Sequence, residues 1–355
     1  MAFTYGVIEG LYDEDKLWSW QTRHEYVDFC ANKGFDFFIY APKNDVFLRE
    51  RWREPWPETE FNSLKKLSSA FKEKGIRFGV GLTPFDVKTL DSQTKKDIKA
   101  KVKLINDINP TMLSILFDDF SNDVTNLADT QSAIAEFIAA ESNAFDFQMV
   151  GTYYSSDPLL NRAYGLKPEN YWSELGAMLD KRFDILWTGE HVISLGYDKT
   201  TLEYMSDLFQ RQPFIWDNYP VNDPKWLKHR LRMYAFTGRP WQLSQWTSGH
   251  AVNPMIQPRL SKIPLCTLAD IYQQKDKFIA NSSFNNALRA CCGEHLAKAI
   301  QDNLIYLTEE GANNFSPYSW KRLKTLFQSF KSTEQKPYAD EILRWLDSVK
   351  ETKDA

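Results

Sequence analysis

Eight short apolar runs, most of them followed by a longer charged stretch with helical spacing, constrain this chain more than any other feature. The runs are Tyr5–Glu9, Phe35–Tyr40, Arg77–Leu82, Met112–Phe117, Phe147–Gly151, Phe183–Trp187, Pro213–Asp217 and a last one within Pro240–Trp246. Helix-like stretches at Trp18–Lys33, Phe61–Lys74, Lys95–Asn109, Gln131–Ser142, Tyr171–Lys181 and Thr201–Gln210 lie between them. A run that short and apolar reads as a strand buried on both faces, as in a parallel sheet covered by helices. Eight β-then-α units in roughly 270 residues predict a (β/α)8 barrel (TIM barrel), a fold that takes about 250. A doubly wound open sheet is the structural rival, but no G-x-G-x-x-G follows the first run. Beyond about Leu268 the strand signal vanishes, and Ser283–Asn303, Ser319–Phe330 and Tyr338–Lys350 read as amphipathic helices. The expected organisation is a barrel over residues 1–270 and a small C-terminal helical region over residues 271–355.

Composition narrows the partners. Net charge of −4 gives no electrostatic case for nucleic acid, whose phosphates are met by basic patches. Aromatic residues make up 15% of the chain, with 12 Trp and 16 Tyr, and aromatic faces stack on the apolar faces of sugar rings. No segment approaches the ~18 uninterrupted apolar residues of a membrane span, so no membrane partner is expected. The N-terminus has neither a basic region nor the apolar core of an export signal. The four cysteines, Cys30, Cys266, Cys291 and Cys292, show no C-x-x-C pairing. Together these predict reduced thiols in a cytoplasmic protein. Nothing in the pattern sets an oligomeric state.

Barrel sites are assembled from residues just past the carboxyl ends of the strands. The fourth run ends abruptly in Asp118-Asp119, two carboxylates that are costly to hold beside such a core. The other ends bring Glu9-Gly10, Lys43-Asn44-Asp45, Thr152-Tyr153-Tyr154, Trp187-Thr188, Trp216-Asp217-Asn218 and Asn222-Asp223. Carboxylates, amides, one lysine and aromatic rings suit a polyhydroxylated, uncharged ligand. The five histidines show no H-x-H or H-E-x-x-H spacing, and neither a P-loop nor a G-x-S-x-G elbow is present. No metal and no cofactor are therefore expected. Paired carboxylates point to glycoside hydrolysis. Ordinary glycosidases place their two carboxyls ~5 to 9.5 Å apart, astride the scissile bond. Neighbouring residues, with Cα atoms ~3.8 Å apart, cannot easily do so. They can serve adjacent atoms of one substrate, which suggests substrate-assisted catalysis by a 2-acetamido group.

Gly6-Val7-Ile8-Glu9-Gly10, Tyr40-Ala41-Pro42-Lys43-Asn44-Asp45 and Trp52-Arg53-Glu54 resemble the opening motifs of glycoside hydrolase family 84, the O-GlcNAcase/β-N-acetylglucosaminidase family. Phe117-Asp118-Asp119 resembles its catalytic doublet, and Ile185–Gly189, Ile215–Asn218 and Asn253-Pro254 are similar to its pattern in the same order. The resemblance spans roughly residues 5 to 270. It implies a retaining exo-acting enzyme that removes β-linked GlcNAc from Ser/Thr of O-GlcNAc-modified proteins or from small glycosides, through an oxazoline. It also implies that Asp118 holds the acetamido N–H and that Asp119 is the general acid and then base. Tyr154 and Asn218 match residues around the acetamido group and the reacting centre, and Trp216 matches a pocket wall. Gly10, Lys43, Asp223 and Asn253 match groups that bind sugar hydroxyls. Three departures stand out: Asp13 follows where the family continues with Gly and a Pro-Trp pair, Phe85 ends Thr83-Pro84-Phe85 in place of Ser-Pro-Gly, and Val150-Gly151 replaces Cys-Pro. An endo-acting, hyaluronidase-like glycosidase and a non-hydrolytic GlcNAc-binding protein on the same barrel remain as alternatives.

Overall fold

The structure is a computed structural model that describes residues 2–13, 16–118 and 123–354, with side chains to residue 349. Eight parallel strands close into a barrel in the order β1 to β8. They are β1 Thr4–Glu9, β2 Phe37–Tyr40, β3 Arg77–Leu82, β4 Met112–Leu116, β5 Asp146–Val150, β6 Phe183–Trp187, β7 Phe214–Asp217 and β8 Gly249–Val252. The helices are α1 Trp20–Lys33, α2 Glu58–Glu73, α3 Ser92–Ile108, α4 Leu127–Glu141, α5 Pro158–Tyr164, α6 Tyr171–Met178, α7 Lys199–Phe209, α8 Leu243–Trp246, α9 Pro258–Gln274, α10 Ala280–Asp302, α11 Pro317–Gln328 and α12 Lys336–Asp354. The (β/α)8 barrel with helices beyond it is the expected fold. Among the described residues, no helix is long and apolar enough to cross a membrane.

Local chemistry sets the helix ends. Asp91 caps α3 by accepting the Thr94 N–H at 2.8 Å, and Asn109 ends it in the left-handed region at φ 59°. Asp198 caps α7 through the Thr201 N–H at 2.9 Å. On α2, Leu64, Leu67 and Phe71 recur at helical spacing and are buried, while the lysines between them face outward.

The last strand is not within Pro240–Trp246. That segment forms the short α8, and β8 is Gly249-His250-Ala251-Val252, between β7 and β1. Its small residues hid it. A Cβ on Gly249 would lie 2.2 Å from the Phe214 ring, so the strand fits only where the side chain is missing. Helix α9 went unread because Pro264 lies inside it.

The barrel interior is filled by Ile8, Phe37, Ile39, Ala41, Met112, Leu116, Val150, Leu186, Phe214, Trp216 and Ala251. Strand side chains alternate between faces. The residues two beyond an inward one, past the strand's carboxyl end, therefore share its face. By that count Gly10 follows Ile8, Lys43 follows Ala41, Asp118 follows Leu116, Asn218 follows Trp216 and Asn253 follows Ala251.

The chain divides into two compact units. The first is Met1–Gly10, Arg23–Asn218 and Gly238–Asn253; the second is Leu11–Thr22, Tyr219–Thr237 and Pro254–Ala355. The first holds the whole barrel sheet. The second contains α9 to α12, with Arg259 N and Leu260 N of α9 both donating to Glu341 of α12 at 3.0 Å.

Candidate active site

Asp118 is the centre of the site in the first unit. It is 5% exposed, and its Oδ2 accepts from Lys43 Nζ at 3.0 Å. Its Oδ1 is buried with no hydrogen-bond partner among the described residues. A buried acceptor without a donor costs about 1–3 kcal/mol, so this oxygen can accept an N–H or O–H. Asp119, the expected general acid, lies outside the described residues.

The loop that carries Lys43 is held by partly buried bonds. Asp45 accepts from the Phe47 N–H at 3.0 Å, the Tyr40 hydroxyl at 2.9 Å and the Trp56 indole at 2.9 Å. Burial, with the Asp45 carboxylate next in weight, pushes the Tyr40 hydroxyl up, so it stays a donor. Beneath Trp56 the Lys101 ammonium lies 3.3 Å from the ring centroid and donates to Glu54 O at 3.1 Å.

Across the barrel mouth runs a relay of amides. The Gly10 N–H donates to Asn253 Oδ1 at 3.1 Å, Asn253 Nδ2 to Asn218 Oδ1 at 3.1 Å, and Asn218 Nδ2 to the Val192 carbonyl at 2.8 Å. Gly10 lies against the Trp216 indole so closely that a Cβ there would be 2.5 Å from Cζ2. Tyr154 packs on the same interior cluster as Trp216, half-buried, while Tyr153 turns outward and donates to Gly165 O at 2.8 Å. The structure thus brings Gly10, Lys43, Asp118, Tyr154, Trp216, Asn218 and Asn253 to one end of the barrel. Asp223 belongs to the second unit, where its Oδ2 accepts the Tyr12 N–H at 2.9 Å.

Glu9 ends β1 on the opposite face from Gly10. Arg23 grips both its oxygens at 2.6 and 2.8 Å, which makes it a buried ion pair of the wall. The departures also find partners. Gly151 leaves room for the Tyr171 hydroxyl, which a Cβ would meet at 2.1 Å. That hydroxyl donates to Gln131, whose Nε2 donates to Thr152 Oγ1 at 2.8 Å. The Phe85 carbonyl accepts from the Trp52 indole at 3.1 Å, and in the second unit Asp13 accepts from the Trp18 N–H at 2.8 Å.

Sequence reasoning counted Asp217 among the strand-end groups open to a ligand, but it is buried and taken up by Arg239 and His250, a pairing that sequence did not reveal. Arg239 lies between Gly238 and Pro240. Nothing in that local order says what its side chain would reach.

A parallel eight-stranded barrel with polar groups gathered at the carboxyl ends of its strands is the class of (β/α)8 proteins whose sites lie at that face. Comparisons with known proteins narrow the class. The model of the beta-N-acetylglucosaminidase family matches residues 5–305. Protein O-GlcNAcase of Rattus norvegicus is 26% identical over 287 residues, 76% of this chain and 30% of that protein. Protein O-GlcNAcase of Mus musculus is 26% identical over 286 residues, again 76% and 30%. The chain therefore spans about 30% of the length of the curated relatives it matches. A mutant O-GlcNAc hydrolase from Thermobaculum terrenum has a TM-score of 0.79 at 24% identity, over 99% of this chain and 82% of that one. The structure of CpGH84B gives 0.77 at 23%, over 98% and 66%. These two likenesses speak to the fold. The match to the family model covers most of the chain, which belongs to the beta-N-acetylglucosaminidase family, glycoside hydrolase family 84.

Proposed function

We propose that this chain is a retaining exo-β-N-acetylglucosaminidase of the O-GlcNAcase kind, using the substrate's own 2-acetamido group as nucleophile. The observation that carries this reading is the half-satisfied carboxylate of Asp118, buried beside Lys43 with Oδ1 lacking a partner among the described residues. An acetamido N–H donating to Oδ1 would satisfy it and turn the amide oxygen toward C1. Attack of that oxygen on C1 forms the oxazoline as the glycosidic C–O bond breaks. Asp119 protonates the departing oxygen. It then takes a proton from water, which adds to C1 and reopens the ring with net retention. Trp216 and Tyr154 wall the pocket. Gly10, Lys43, Asn218 and Asn253 bind the sugar's polar groups.

The substrate is a β-GlcNAc glycoside, either small or on the Ser/Thr of a modified protein. Residues 1–270 carry the reaction, with 271–355 as a helical extension. All four cysteines are free thiols, which supports a cytoplasmic setting.

The test is hydrolysis of a chromogenic aryl N-acetyl-β-D-glucosaminide by wild type and by Asp118→Asn. Removing the charge that holds the amide is expected to lower kcat by about a hundred- to a thousandfold, the usual loss for one such electrostatic contact. Unchanged turnover in the variant would remove Asp118 from this role. Absence of turnover in folded wild type that still binds GlcNAc would make the chain a sugar-binding protein.

A further inference from the structure

Behind the amide relay lies a buried ion cluster that no step of the proposed reaction uses. Asp217 and His250 are 0% exposed and Arg239 is 5% exposed. Arg239 Nε donates to Asp217 Oδ2 at 2.8 Å and Nη2 to Oδ1 at 2.7 Å, while His250 Nε2 lies 3.0 Å from Oδ2. The same guanidinium reaches out of the cluster. Nη2 donates to Ser194 O at 2.8 Å and Nη1 donates to Leu195 O. Both carbonyls belong to the loop between β6 and α7, and the Tyr197 N–H of that loop donates to Gly238 O at 3.0 Å, beside Arg239. A buried ion pair is seldom retained for stability alone, since apolar residues of like volume often serve as well. Its best use is to set a register.

The register in question is that of Val192, two residues before Ser194. Its carbonyl accepts Asn218 Nδ2 at 2.8 Å. A carbonyl there permits one orientation of the Asn218 amide, because the flipped amide would set two acceptors against each other. With Nδ2 committed, Oδ1 faces Asn253 Nδ2, and Asn253 Oδ1 in turn takes the Gly10 N–H. The relay thus runs from an obligate donor, the Gly10 N–H, to an obligate acceptor, the Val192 carbonyl, and the carbonyl holds its Asn218 end. Asp217 also meets the relay through its backbone, since Asp217 O accepts the Asn253 N–H at 2.9 Å.

We propose that Arg239 is a positioning residue of the site: by clamping the loop after β6 to the end of β7, it fixes the Val192 carbonyl that holds Asn218 against Asn253. The proposal rests on the glycosidase reading only in taking the relay as the surface that binds the sugar.

Arg239→Lys is the informative variant, because an ammonium keeps the charge but cannot bridge a carboxylate and two carbonyls as a fork. The expected crystal structure has a displaced 192–195 segment and a broken Asn218 Nδ2 to Val192 O bond. Expected kinetics are a loss in kcat/KM of about tenfold or more, equal for good and poor leaving groups, because small misplacements of binding groups cost that much. Placed on Asn218→Ala, the same change should cost nothing further, whereas a merely structural role would give additive losses. An intact Asn218–Val192 bond in the variant overturns the proposal, as do additive losses. Should Arg239→Lys not fold, the paired Asp217→Asn/Arg239→Met variant, which leaves no buried charge unmatched, takes its place with the same readouts. Wild type without turnover sinks the glycosidase reading instead. The relay is then read from the crystal structure and from GlcNAc affinity, where an unchanged affinity and an intact bond overturn the proposal.

Discussion

Gly10 shows how little room a single residue has at this site. Its missing side chain lets the backbone lie on the Trp216 indole while its N–H holds Asn253. Gly10→Ala would force the ring or the strand end to move, and overpacking of this kind costs about 1–3 kcal/mol. The expected outcome is a lower Tm together with a raised KM, read by thermal melts and steady-state kinetics. Lys101 makes the opposite case, a charge held where charge is costly. Burial lowers its pKa to about 7, and nearby Asp45 only partly opposes that. In the unfolded chain a lysine titrates near ~10.4. Between these values the unfolded state binds the extra proton, so this group makes stability rise as pH climbs from 7 toward 10. Lys101→Met should flatten that rise, which urea unfolding at pH 7, 8 and 9 would measure.

At the scale of elements, the junction of α9 and α12 depends on one carboxylate. Glu341 accepts the Arg259 and Leu260 N–H groups at the start of α9, where the free donors of a helix favour an anion. Burial nevertheless outweighs those bonds and the charge of Arg259, raising its pKa to about 7. The folded state therefore holds a proton that the unfolded state has already released above ~4.3. This contribution to stability is complete below that value and is lost as pH rises through 7. Glu341→Gln should remove the trend, and the wild-type advantage between pH 5 and 7.5 should shrink by on the order of 2–3 kcal/mol. Paired thermal melts at the two pH values would show it. A wild type and variant that respond to pH alike would mean the carboxylate is ionised throughout.

At the scale of the whole molecule, compact units and continuous stretches of sequence do not coincide. Its second unit gathers Leu11–Thr22, Tyr219–Thr237 and Pro254–Ala355, segments far apart in sequence. Within that unit the Trp345 indole donates to Lys228 O at 2.8 Å, and Glu341 holds the start of α9. Ending the chain after residue 270 would remove both bonds and expose the apolar faces they seal. We expect such a truncation to be insoluble or to melt far below the full chain, as gel filtration and circular dichroism would report. A stable, monodisperse fragment would mean that the barrel's eight β/α units suffice.

Much of this architecture was legible from residue order. Seven of the eight strands announced themselves as apolar runs, because a strand buried on both faces is mostly apolar even where it carries a Ser114, Gln148 or Asp184. Asp118, Lys43 and Asn218 were legible too, since polar residues just after such a run lie at the barrel mouth, whereas Asn253 follows the unread eighth strand and was reached only through the family resemblance. The eighth strand was not legible, because Gly249 must clear the Phe214 ring, and a four-residue run that opens on Gly and holds His250 carries little apolar signal. Nor could order alone assign partners. Glu9 and Gly10 are neighbours, yet one is bound by Arg23 in the wall while the other's N–H reaches Asn253, 243 residues away. Arg239 likewise meets Ser194, Leu195 and Asp217 only because pairing of β6 with β7 sets their ends side by side. Alternation along a strand is local, so sequence dictates which residues point inward. Hydrogen bonds need atoms within about 3 Å of each other, and only the closed barrel brings such distant segments that near.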